Sequence, residues 1–152
     1  MDLILWRHAE AIEGDIGEDL ARKLTPKGER QAERMAEWLN RRLSHSTRIL
    51  VSPAVRCQET AKALGRKFRT ADELAPGATA QAVLDAARWP EASGAVLIVG
   101  HQPTLGLAAA QALIGVAQPW SIKKAAVWWI RHRPRDDEDK VLLQAVQSPD
   151  CL

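Results

Sequence analysis

The chain has 152 residues, and its 21 Lys and Arg against 19 Asp and Glu leave a formal net charge of +2. That near-balance excludes a global field for nucleic acid or an anionic membrane, and no apolar run approaches the roughly 20 residues a membrane helix needs. The length fits one domain over residues 1–152, large enough to bury a core without disulfide or metal support.

Asp2 to Arg7 is a continuous apolar run ending in Arg7-His8, as expected of a central strand covered on both faces. The strand starts at once, with no charged leader, and Cys57 and Cys151 are the only thiols; both features predict a reduced, cytoplasmic protein. Cys57 falls in a predicted helix and reads as a small buried apolar residue. Ala9 to Lys23 is polar, carries Gly14 and Gly17, and reads as a long functional loop.

Thr25-Pro26 opens a helix, with Thr as N-cap and Pro in the first turn. Ala32, Met35, Ala36, Leu39 and Leu43 form its apolar stripe. Arg48 to Ser52 is a second strand, and Ser52-Pro53 is expected to cap the next helix in the same way, running through Ala61 and Leu64 towards Phe68. Thr79 to Arg88 is a shorter helix, Ala95 to Val99 a third strand that delivers His101, and Thr104 to Leu113 an Ala- and Leu-rich helix. Lys124 to Arg131 and Val141 to Val146 read as a closing strand pair, with Trp128 and Trp129 on opposite faces. The order predicts an α/β three-layer sandwich, α/β/α, with a mostly parallel mixed central sheet and an antiparallel edge.

In such sheets ligands collect beyond the carboxyl ends of the strands. His8 and His101 are delivered there by separate strands, with Arg7 adjacent and Arg56 on the first turn of the intervening helix. Two guanidiniums offer paired donors matched to a phosphate, sulfate or carboxylate. His8 among arginines is expected to be neutral and nucleophilic near pH 7. An imidazole attacking phosphorus would give a covalent phosphohistidine, with Arg7, Arg56 and His101 stabilising the transferring group. His101 is expected to become protonated when a bound dianion raises its pKa.

Leu5-Trp-Arg-His-Ala-Glu-Ala11 resembles the Arg-His-Gly signature of the histidine phosphatase superfamily, the phosphoglycerate mutase-like proteins. Leu24-Thr-Pro-Lys-Gly28, Val51-Ser-Pro-Ala-Val-Arg-Cys-Gln-Glu-Thr60, Val99-Gly-His-Gln-Pro103 and the ending Gln147-Ser-Pro-Asp-Cys-Leu152 are similar to further motifs of its small SixA-type branch. The resemblance implies a phosphoglycerate mutase-like sandwich without a large lid subdomain. It also implies a nucleophile at His8 and a phosphate pocket of Arg7, Arg56 and His101, with no cofactor and no metal. Arg22 matches a position where the branch places a further substrate-facing arginine. The implied activity is hydrolysis of phosphohistidine in a protein partner, with no nucleic acid or membrane partner and an open oligomeric state.

Two departures qualify the match. Ala9 stands where many members have Gly, and no clear counterpart exists of the acidic general acid of larger members; Asp19 and Glu73 are the candidates. An alkoxide leaving group needs a proton, worth typically 10²–10⁴-fold when an enzyme supplies it. A protonated imidazole leaves neutral without one, so a weak acid suits P–N better than P–O cleavage. Few residues remain to build a lid, which suits a folded protein substrate. A small-molecule phosphomonoesterase would instead require a lid and a carboxylate close to His101. A catalytically weak phosphoprotein-binding module could use the same arginines, but His8 beside both of them argues against it.

Overall fold

The computed structural model describes residues 1–15, 17–135 and 138–152. Six strands form one sheet in the order β3-β2-β4-β1-β5-β6: β1 (Asp2–Arg7), β2 (Arg48–Val51), β3 (Arg69–Thr70), β4 (Ala95–Gly100), β5 (Val127–Arg135) and β6 (Glu138–Gln147). The first four run parallel, β5 is antiparallel to β1, and β6 is antiparallel to β5. This is the mixed sheet expected from the sequence, with both closing strands antiparallel.

Two helix layers cover it, and the strand sequences show why. Along β1 the side chains alternate: Leu3 and Leu5 join one core cluster, Ile4 and Trp6 the other. The continuous apolar run therefore reflects two buried faces. Val83, Leu84 and Ala87 of α3 (Ala80–Ala87) and Leu105, Ala108 and Ala109 of α4 (Thr104–Ile114) pack on the Leu3/Leu5 face. Ala32, Met35, Ala36 and Leu39 of α1 (Pro26–Asn40), with Cys57 and Ala61 of α2 (Val55–Lys62), pack on the Ile4/Trp6 face. Each large side chain removed fully from water contributes roughly 1.5–3 kcal/mol. Trp128 and Trp129 divide between the two faces, packing against Trp120 and Trp38 respectively.

Several boundaries differ from expectation. Thr25 caps α1 through the Gly28 N–H at 2.9 Å, as predicted. Ser52, however, is not the cap of α2: Ala54 holds that position and the helix begins at Val55. The Ser52 hydroxyl accepts the Ala54 N–H at 3.2 Å and is left facing the sheet edge. α2 stops at Lys62 rather than near Phe68, because the chain turns at Gly65, at a φ of 67°, to deliver β3. β5 starts at Val127 rather than Lys124, since Ala125 adopts φ 61° and donates its N–H to the His8 carbonyl. The loop from Ala9 to Lys23, of which residue 16 lies outside the described residues, contains a 3-10 turn at Asp19–Ala21 and a bridge between Ala11 and Leu24.

Gly28 explains the Leu24–Gly28 segment. A Cβ built there would overlap the Glu10 carbonyl oxygen, so only glycine lets the first turn of α1 sit against the chain two residues past His8. The same junction is tied by Thr25 N–H to the Glu10 carbonyl at 3.0 Å and by the Thr25 hydroxyl to the Glu10 carboxylate at 2.8 Å. Among the described residues no helix is long and apolar enough to cross a membrane.

Candidate active site

Sheet register assembles the site. Arg7 of β1 lies beside Gly100 of β4, and Val51 of β2 beside Val99. His8, His101 and Ser52 therefore leave three adjacent parallel strands together. The rings of His8 and His101 lie 5.3 Å apart between centroids.

His8 is held on every side. Its N–H donates to the Gly100 carbonyl at 3.1 Å, and its carbonyl accepts from Ala125 at 3.1 Å. The next residue, Ala9, donates to the Thr60 hydroxyl at 3.1 Å, which in turn donates to the Arg56 carbonyl at 2.7 Å. Within the ring, Nδ1 lies 2.8 Å from the Ala9 carbonyl. A carbonyl only accepts, so Nδ1 carries the proton and Nε2 keeps its lone pair. Burial is the largest influence on the ring and, opposed by the Ala9 hydrogen bond and aided by the charges of Arg56, Arg7 and Arg22, pushes its pKa down to about 4. The expected neutral imidazole is thus present, with desolvation ahead of the arginines as its cause.

Arg56 is buried at 3% exposure. It donates through Nη1 to the Asp19 carbonyl at 2.7 Å and through Nη2 to the Asp19 carboxylate at 3.2 Å. Nη2 also lies 3.3 Å from His101 Nδ1. A guanidinium cannot accept, so His101 Nδ1 is the acceptor and Nε2–H donates to Ser52 Oγ at 2.7 Å. Burial first, then the charge of Arg56, holds the His101 pKa down at about 3, so this ring is also neutral before any anion binds. Ser52, fully buried, was missed as a site residue because Ser-Pro before a helix reads first as a cap. Cys57, 3.5 Å from His101 Nε2, is packed and inert, its thiol pushed up to about 12 chiefly by burial.

Arg7 donates through Nη1 to the Ile122 carbonyl at 2.8 Å. The Nε atoms of Arg7 and Arg56 are both buried without a partner. Unsatisfied buried donors cost free energy, and both belong to the guanidiniums that flank the two histidines. Arg22 reaches the same place, pinned by Asp19 at 3.2 Å and by the Ile12 carbonyl at 3.1 Å.

These groups wall an open cavity of about 280 Å³ that brings together Arg7, His8, Arg22, Arg56 and His101. Glu13, Gln102 and Lys124 line it too and were not expected. Gln102, next to His101, was within reach of sequence reasoning; Glu13 and Lys124 are loop residues without a pattern to flag them. Asp19 bridges Arg22 and Arg56 from outside the wall. Burial works against its charge, but the hydrogen bond and charge of Arg56, with Arg22, hold the carboxyl below its ordinary range. Glu73, in the 3-10 turn Asp72–Leu74, is not brought to the cavity and faces Arg69 at 3.8 Å.

Comparison with known proteins gives a consistent result. Residues 3–79 match the family described as the histidine phosphatase superfamily (branch 1). A phosphohistidine phosphatase SixA homolog of Haemophilus influenzae is 34% identical over 142 residues, covering 84% of this chain and 85% of that one. The structure of the protein histidine phosphatase SixA complexed with tungstate superimposes with a TM-score of 0.81 at 25% identity, covering 99% of both chains. A phosphoserine phosphatase of Entamoeba histolytica, solved with phosphoserine, shares the fold alone: TM-score 0.70 at 17% identity over 99% of this chain and 98% of that one.

Proposed function

The chain belongs to the histidine phosphatase superfamily, on its SixA-type branch, and from that premise we propose that it is a phosphatase that removes phosphate from phosphohistidine in proteins through a phosphoenzyme on His8. The observation that carries the proposal is the locked tautomer: Nδ1–H is spent on the Ala9 carbonyl at 2.8 Å, so Nε2 presents its lone pair in a cavity also lined by Arg7, Arg22, Arg56 and His101.

In the first step His8 Nε2 attacks phosphorus and the P–N bond of the substrate breaks, its electron pair leaving with the substrate imidazole. In the second step water attacks the phosphorus on His8, the P–Nε2 bond breaks with its electron pair returning to Nε2, and inorganic phosphate leaves carrying the protons of the water. Arg7, Arg56 and, in a supporting position, Arg22 neutralise the equatorial oxygens. A bound dianion draws a proton to His101, reversing the effect of burial, so His101 becomes a further donor. Charge neutralisation rests on these side chains and assigns no role to a metal or cofactor.

The placement of the two acids expected from the sequence supports the P–N reading. Asp19 is ion-paired to two arginines and held ionised, while Glu73 stands outside the cavity. Neither is favoured as the donor that an alkoxide requires. Release of phosphate from a phosphohistidine protein, compared with a phosphoserine protein under the same conditions, tests the proposal. Hydrolysis of the first at a much higher rate is expected, and equal rates on both would contradict it.

A further inference from the structure

We propose that Glu13 is a specificity-determining residue whose carboxylate accepts a hydrogen bond from the substrate imidazole, at the ring nitrogen remote from phosphorus. The inference rests on the phosphohistidine reading above and deepens it.

The charge inventory of the cavity carries the idea. Arg7, Arg22, Arg56 and Lys124 supply its positive side chains, with His8 and His101 neutral before binding. Among the described residues, Glu13 supplies the only carboxylate of the wall. A carboxylate repels a phosphoryl dianion, so in a cavity that held only phosphate it would weaken binding. It becomes favourable when the rest of the substrate is cationic. Bound phosphoserine, phosphothreonine and phosphotyrosine carry no positive charge beside the phosphoryl group; a phosphoimidazole protonated on its second nitrogen does. Glu13 is also uncommitted: among the described residues no hydrogen bond or ion pair holds its carboxylate, whereas Glu10 is bonded to Thr25 and Asp19 to Arg22 and Arg56.

The chemistry balances without a general acid. The substrate ring keeps its proton on the remote nitrogen, held by Glu13, while the P–N bond breaks; the electron pair stays on the departing nitrogen and the imidazole leaves neutral. His8 takes the phosphoryl group on Nε2 and keeps its own proton on Nδ1, becoming the equivalent cationic phosphoimidazole. An opposite charge beside a titrating group shifts it by about 1–3 pKa units, here towards the protonated, reactive substrate. Arg7, Arg22, Arg56 and Lys124 oppose that protonation, and Glu13 is the wall group that favours it.

The test is Glu13→Gln, assayed for kcat/KM on a phosphohistidine peptide and on phenyl phosphate across pH 6–9. The expected result is a fall of about tenfold in the ratio of the two constants, the factor of a one-unit shift. The alkaline limb of the phosphohistidine profile should also move to lower pH. Glu13→Asp should recover part of the ratio. An unchanged ratio, or a parallel loss on both substrates with a lowered Tm, would overturn the assignment. If the unaltered protein cleaves phenyl phosphate but not phosphohistidine, the proposed function fails and the inference with it. If it prefers phosphohistidine and Glu13→Gln prefers it equally, the inference alone fails.

Discussion

Acidification from pH 7 to pH 5 should weaken the fold through His8 and His101, before most carboxylates titrate. Both rings are buried and neutral in the folded chain, with pKa values of about 4 and about 3 against 6.5 when unfolded. Between pH 6.5 and those values the unfolded chain binds more protons than the folded one, so stability rises with pH and is lost as pH falls. At pH 5 each unfolded ring is almost fully charged and each folded ring almost fully neutral, a cost of about 2 kcal/mol per histidine. Together they remove about 4 kcal/mol, a large part of a typical 5–15 kcal/mol total. Asp2 and Asp19, where burial is outweighed by hydrogen bonds and charge from their arginine partners so that both pKa values are lowered, have the same sign of dependence, but their contribution is lost only as pH falls below the ordinary carboxylate range, mostly beneath this window. Urea unfolding at pH 7 and pH 5 measures the difference. The double variant His8→Gln/His101→Gln should lose about 4 kcal/mol less than the unaltered protein on the same change of pH. Equal losses would refute the claim that the site holds two desolvated neutral imidazoles.

Arg56→Ala should lower kcat/KM by about 10²–10³-fold, the cost of removing a donor to developing charge, as measured by steady-state phosphate release. Gly28→Ala should destabilise despite alanine's better helix propensity, because the added Cβ overlaps the Glu10 carbonyl; a loss of roughly 1–3 kcal/mol and a Tm fall of about 2–4 °C per kcal/mol in calorimetry are expected. Activity should be unaltered by EDTA after exhaustive dialysis, and strong inhibition that zinc or magnesium reverses would contradict a site built on guanidiniums.

Much of the architecture was legible because the strands are buried on both faces. Asp2–Arg7 and Ala95–Gly100 announce themselves as apolar runs, and each ends on a histidine, so the site's two rings could be placed before the sheet was known. Arg56 followed from its position on a helix first turn. β3 was not legible, since two exposed residues carry no periodicity. Ser52 was misassigned because local capping chemistry and a role beside His101 use the same hydroxyl. Glu13 and Lys124 lie in irregular segments, where nothing in the sequence says which way a side chain faces. Asp19 was flagged for its charge, but only the fold reveals that this charge is committed to Arg22 and Arg56.

The mechanism turns on the nitrogen that attacks phosphorus. Rapid mixing with phosphohistidine protein carrying labelled phosphate, followed by an alkaline quench and peptide mass spectrometry, reads it directly. Acid-labile, base-stable label is expected on the peptide containing His8, and none on the His8→Ala protein. Turnover without labelled enzyme, or label that persists when His8 is replaced, would contradict the mechanism.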